Sequence, residues 1–181
     1  MPLTIHVPQK DFYDPKNNRF ITVKEQRLVL EHSLLSISKW EMKWHKAYLS
    51  MEPKTEEQNF DYIRCMCLTE PSDPNVFLAL TPQNVKDIAD YISNPMTATT
   101  FKDRQKKPSR EIITNELIYF WMSYFNIPFD PCQKWHLNRL MTLIEVASVK
   151  NQQPQKMSKK DIFSQNAALN AARRAKYGTR G

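Results

Sequence analysis

The chain has 181 residues, 26 basic and 19 acidic side chains and a formal net charge of +7. A chain of this length buries roughly 70% of its unfolded surface as one domain, so its fold requires neither metal nor disulfide. Two glycines are too few for a phosphate loop or a dinucleotide fingerprint, and three cysteines without a CxxC spacing support neither a zinc site nor a redox motif.

The charge is unevenly placed. Residues 150–181 hold eight basic side chains and one acid, the whole of the net charge, while residues 1–149 balance 18 against 18. A neutral body with a cationic end marks an interaction segment. Met1-Pro2-Leu3-Thr4-Ile5-His6 lacks the basic-then-apolar order of a secretory signal, and no apolar run reaches the length of a membrane span. A soluble intracellular protein with reduced, buried thiols is expected.

Taken in order, residues 3–7 and 19–23 read as strands rich in Thr, Ile and Val, with residues 27–31 as a third. Asp14-Pro15-Lys16-Asn17-Asn18 is turn chemistry. Residues 1–37 should therefore form a small antiparallel β element packed on a helical body, residues 38–150. Ser38-Lys39-Trp40-Glu41 has the capping-box pattern and predicts a helix to about Ser50, with Trp40, Trp44 and Ala47 on its inner face. Thr55-Glu56-Glu57-Gln58 starts another, carrying Phe60, Ile63, Arg64, Cys67 and Leu68 inward. Thr81-Pro82 starts a third, with Val85, Ile88, Ala89 and Ile92 aligned and Asn94-Pro95 as its stop. Residues 95–110 show no helical period, and 101–108 read as a basic solvated loop.

Residues 112–150 read as a helical hairpin. Ile113, Leu117, Phe120, Trp121 and Tyr124 share one helical face, and Leu137, Leu140, Met141, Ile144 and Ala147 repeat the pattern. Between them, Asp130 as N-cap and Pro131 at the first helical position predict the second start. A polar linker, 151–156, follows. Ser158-Lys159-Lys160-Asp161 then opens an alanine-rich helix to Tyr177, with Gly178 as its stop. Residues 151–181 thus form a basic linker and C-terminal helix. The apolar stripe of that helix, Ile162, Leu169 and Ala172, is thin, which suits docking on a partner. The expected partner-binding residues are Lys159, Lys160, Ile162, Phe163, Leu169, Arg173, Arg174 and Lys176.

No pattern of catalytic residues is present. His6, His32, His45 and His136 are scattered, His45 is placed to pair with Glu41, and no GxSxG or paired acidic cluster occurs. The expectation is a mainly α (α+β) protein without enzyme activity, cofactor or metal.

Five stretches carry a family resemblance: Ser38-Lys39-Trp40-Glu41-Met42-Lys43-Trp44-His45, Asp61-Tyr62-Ile63-Arg64-Cys65-Met66, Trp135-His136-Leu137-Asn138-Arg139-Leu140-Met141-Thr142-Leu143-Ile144, Lys156-Met157-Ser158-Lys159-Lys160 and Ala168-Leu169-Asn170-Ala171-Ala172-Arg173-Arg174. With these the chain resembles the tail assembly chaperones of tailed bacteriophages, which are encoded beside the tape measure protein. The resemblance implies a non-enzymatic role in the host cell cytoplasm. It implies coating the tape measure protein, helping to recruit tail tube protein, and absence from the mature virion. It transfers no functional residue. Two other classes fit the same charge pattern: a nucleic-acid-binding accessory protein using the basic tail, and a minor virion tail or connector component.

Overall fold

The structure, a computed structural model, describes residues 1–14, 18–101, 111–151 and 159–178. It is mainly helical, with two antiparallel strand pairs at its N-terminal end. The chain divides into two compact units, Met1–Ala147 and Ser148–Gly181.

In the first unit, four strands come first: β1 (Leu3–Val7), β2 (Lys10–Asp14), β3 (Arg19–Val23) and β4 (Gln26–Leu30). β1 pairs with β4, from Leu3 opposite Leu30 to Val7 opposite Gln26. β2 pairs with β3, from Lys10 opposite Val23 to Asp14 opposite Arg19. The register is unbroken from one ladder to the next, so the two sheets are one long hairpin interrupted at Pro8-Gln9 and Lys24-Glu25. Pro8 has no N–H to give the ladder, and the His6–Glu25 contact of 2.7 Å ties the two sides at the gap. Ile5, Val7, Leu28 and Leu30 face the core. The strand β2 was not anticipated, and the expected turn lies partly outside the described residues, since 15–17 are among those not described.

The hairpin feeds α1 (Leu34–Trp44). Ser33, not Ser38, is its N-cap: the Ser33 hydroxyl accepts from the Ser36 amide at 3.3 Å. The helix starts early because its buried stripe of Leu34, Ile37, Trp40 and Glu41 begins four residues before Ser38. It ends at Trp44, where His45 adopts φ 51° and its amide returns to the Glu41 carbonyl, rather than running to Ser50. Helix α2 (Glu56–Met66) has the expected capping box between Thr55 and Gln58. A 3-10 helix follows (Pro74–Ala79), then α3 (Pro82–Ser93), capped reciprocally by Thr81 and Asn84. After α2, Leu68 N donates to Val29 O and Glu31 N to Met66 O, so this short run pairs with the end of β4.

The faces of α2 and α3 are partly rotated from those expected. Ile63 and Ile88 are buried as expected, with Gln58, Asp61, Tyr62 and Met66 beside the first and Asn84 and Tyr91 beside the second, while Phe60 and Val85 are exposed. Among the described residues, no buried side-chain polar atom lacks a partner. Gln58 Oε1 accepts from Thr55 N, Asn84 Nδ2 donates to His6 O, and Tyr91 OH donates to Glu31 Oε1. A satisfied polar side chain is inexpensive to bury, so these residues occupy positions that an apolar stripe alone would not assign.

The expected helical hairpin is also corrected. α4 (Asn115–Tyr124) lies closest to α1, and buries Ile118 and Met122. Phe120 and Tyr124 point outward and Trp121 is partly buried. Asp130 and Pro131 do not start the next long helix. They lie in a single turn, α5 (Phe129–Cys132), where Asp130 is non-helical and its carboxylate meets Lys134 at 2.6 Å. α6 (Leu137–Asn151) begins later and buries Leu137, Leu140 and Ile144. All these apolar residues join one core with the β1–β4 ladder.

The second unit contains α7 (Lys159–Tyr177). The linker expected at 151–156 and the basic loop at 101–108 fall almost wholly outside the described residues.

Candidate functional site

Helix α7 carries the expected partner-binding residues. It spans 19 residues, about 28 Å at the α-helical rise. Alanines at 167, 168, 171, 172 and 175 favour the helix, and Gly178 ends it at φ 61° with its amide on the Arg174 carbonyl at 2.9 Å. The side chains of Lys159, Lys160 and Ile162 lie outside the described residues. Phe163 is 75% exposed, Leu169 51% and Tyr177 69%, and Arg173, Arg174 and Lys176 are exposed with them. Leu169, Arg173 and Lys176 stand at i, i+4 and i+7 and form one stripe. Phe163 and Arg174, eleven apart, form another. α7 therefore offers two mixed apolar–cationic ridges rather than one. The Lys176 ammonium lies 5.6 Å from the Tyr177 ring, and the cations near the end of the helix complement its dipole.

The first unit has an exposed aromatic surface that the apolar periodicity assigned to the core. Phe120 (62% exposed) and Tyr124 (69%) stack at 6.3 Å on the outer face of α4, and Phe125 meets Tyr124 at 5.0 Å. At the distal hairpin, Tyr13 and Phe20 pair across β2 and β3 at 5.4 Å, both exposed. A cleft of about 290 Å³ lies between α2 and the 3-10 helix, lined by Lys43, Phe60, Asp61, Arg64, Phe77 and Leu78. Glu57 also lines it, and the charges of Lys43, Asp61 and Arg64 are already engaged. Asp61 accepts from Lys43 and from Trp44 Nε1, and the Arg64 guanidinium stacks 5.4 Å from the Phe77 ring.

The buried titratable groups of this unit are gathered in a seam between the end of β4, α2, α3 and the start of α6. Tyr62 OH and His32 Nδ1 share a hydrogen bond of 2.5 Å, and Tyr48 stacks on Tyr62 at 3.9 Å. The His32 and His136 rings are 5.0 Å apart, and His136 is edge-on to Tyr91 at 4.9 Å. Burial pushes His32 down to about 3, with His136 adding to the effect, and burial also lowers His136. Burial raises Tyr48, Tyr62 and Tyr91 above the ordinary phenol value. All three cysteines are free, and burial raises each thiol, which disfavours the nucleophilic thiolate. Glu41 does not serve His45 as a side-chain partner. Its carboxylate takes the Tyr48 amide at 2.7 Å and the Asn115 amide at 2.8 Å.

Comparison with protein-family models, curated proteins and solved structures gives no match. Among the described residues, no group of three His, Cys, Asp or Glu is placed to hold a metal ion, and no helix is long and apolar enough to cross a membrane. The surfaces of α7 and α4 thus stand on their own geometry.

Proposed function

We propose that this chain is a non-enzymatic binding protein, a phage tail assembly chaperone that engages the tape measure protein through α7 and assists tail tube assembly in the host cytoplasm. The observation that carries the reading is α7 itself. It is a cationic helix in a compact unit of its own, and each of its described side chains is exposed. In proteins most helical stability comes from packing of a helix face rather than from propensity, so docking on a partner stabilises α7. Its two ridges suit a partner that is itself helical and offers both apolar and acidic positions. The resemblance carried by Trp135–Ile144 and Ala168–Arg174 supplies the identity of that partner.

A nucleic-acid-binding role is the second reading, favoured by Arg173, Arg174 and Lys176 beside Tyr177, a cationic end with an exposed ring available for stacking. A salt titration of the intact protein against tape measure fragments, duplex DNA and RNA separates the two. Binding to a helical tape measure fragment that weakens only in part with salt supports the chaperone, since apolar burial survives screening. Steeply salt-dependent binding to nucleic acid alone overturns it. Mass spectrometry of purified particles addresses the remaining class, because a virion component is retained there and a chaperone is not.

A further inference from the structure

His136 uses both ring nitrogens, and the two partners dictate its protonation. Nε2 lies 3.0 Å from the Tyr91 carbonyl, which only accepts, so Nε2 carries the proton. Nδ1 lies 3.3 Å from the Asn138 amide, which only donates, so Nδ1 must be bare. The His136 carbonyl meanwhile accepts from Leu140 N at 3.1 Å, the first intrahelical bond of α6. His136 is therefore the N-cap of α6, with a neutral imidazole in the place where Ser, Thr, Asp or Asn ordinarily supplies the acceptor.

We propose that His136 is an acid-sensitive latch: adding a proton at Nδ1 uncaps α6 and loosens residues 136–138 from the strand and helices they join. Three contacts make this segment a joint. Leu137 N donates to His32 O at 2.7 Å, Ser33 and His136 form an isolated bridge, and Asn138 Nδ2 reaches the carbonyls of Ile92 at 3.0 Å and Asn94 at 2.7 Å. Protonation sets N–H against N–H at Asn138 and places a cation at the positive end of a helix.

Among the groups facing His136, the Tyr91 carbonyl and Glu31 favour the added charge and the Met1 ammonium opposes it, and burial outweighs them. From the β4–α1 junction come His32, 5.0 Å away, and Glu31; from α3 comes Tyr91; from the chain start comes the Met1 ammonium. From α2, Tyr62 holds His32. On α6, Asn138 presents its N–H, and the neighbouring Arg139 stacks on Trp135 at 4.1 Å. Glu31 favours the proton, yet its Oε1 already accepts from Tyr91 OH at 2.6 Å. Burial is the largest influence and holds His136 below its ordinary value of 6.5.

The test is amide hydrogen exchange by NMR on the full chain, expressed as protection factors, between about pH 7.5 and about pH 5. The expected result is a fall at Asn138, Leu140 and Met141 that exceeds the fall at the core amides of Ile5 and Leu28 by roughly tenfold, the scale of one lost helix cap. His136→Asn keeps a cap acceptor that does not titrate and should show no such fall. Unchanged protection in the parent, or the same fall in H136N, overturns the latch. Should H136N fail to fold, the Asn138 amide shift of the parent decides: it must move with the His136 ring titration, and a ring that titrates without moving it overturns the proposal.

Discussion

Glu41 and Asn115 are 74 residues apart in the chain, yet the Glu41 carboxylate holds the first turn of α4: Oε2 accepts from Asn115 N at 2.8 Å and from Asn115 Nδ2 at 2.6 Å. Its other oxygen accepts from Tyr48 N at 2.7 Å. One buried carboxylate on α1 thus satisfies donors from the turn after α1 and from the start of α4. Glu41→Gln sets an amide NH₂ against one of these donors. We expect a loss of about 1–3 kcal/mol, the scale of a broken charge-assisted bond that leaves a buried donor unpaired. A urea midpoint equal to that of the parent contradicts it.

The outward face of α4 gives a second test. Leu140→Ala removes a fully buried side chain on α6 and should cost about 2–5 kcal/mol by the cavity argument. Phe120→Ser removes an exposed ring and should stay within about 0.5 kcal/mol. Comparable losses from the two variants would return Phe120 to the core.

Stability should fall in mild acid. His32 and His136 are both depressed in the folded state and take their ordinary value of 6.5 on unfolding. Above that value both are neutral in either state and stability is at its full level. As pH falls below it, the unfolded chain binds protons that the folded chain resists, so stability declines with falling pH. Urea unfolding at steps between pH 7.5 and pH 5 measures the slope, and a midpoint that rises toward acid reverses the assignment.

Cys132 is buried, and Cys65 and Cys67 are half-buried with raised thiols. We expect Cys132 to react with a thiol reagent at neutral pH only as fast as the fold opens. The triple substitution of Cys65, Cys67 and Cys132 by Ser should destabilise modestly, because Ser in an apolar site loses burial, and should retain partner binding. Immediate labelling of all three thiols in the native protein is the contrary result.

A chain ending at Lys150 should keep nearly the parent unfolding midpoint and lose most of its partner binding. Residues 1–147 form one compact unit with the core inside it, and α7 lies in the other. A large drop in midpoint would make the C-terminal unit a structural part of the fold.

Residues that act through local chemistry were readable directly. β1 and β3 follow from Thr, Ile and Val at 3–7 and 19–23, and the caps of Thr55 and Thr81 follow from their spacing to Gln58 and Asn84. Residues whose role depends on a distant partner were not. Tyr62, Tyr91 and Asn84 are buried because His32, Glu31 and the His6 carbonyl await them, and no helical period encodes that. β2, Lys10–Asp14, hid its strand behind charged ends. Among the candidate residues, Phe163 and Leu169 are exposed on α7. The cap at His136 escaped notice because imidazole serves as an acceptor only when a particular carbonyl, here that of Tyr91, fixes the proton on the opposite nitrogen.

The unbroken register between the β1–β4 and β2–β3 ladders has an engineering consequence. Removing two adjacent opposed pairs from β2 and β3, such as Phe12 with Ile21 and Tyr13 with Phe20, shortens the arm and leaves every remaining couple matched and on its original face. A single deletion on one side instead throws all couples beyond it out of step and turns their side chains to the other face. The distal arm is thus a ruler that can be cut only in twos, while the core near Ile5 and Leu28 stays untouched.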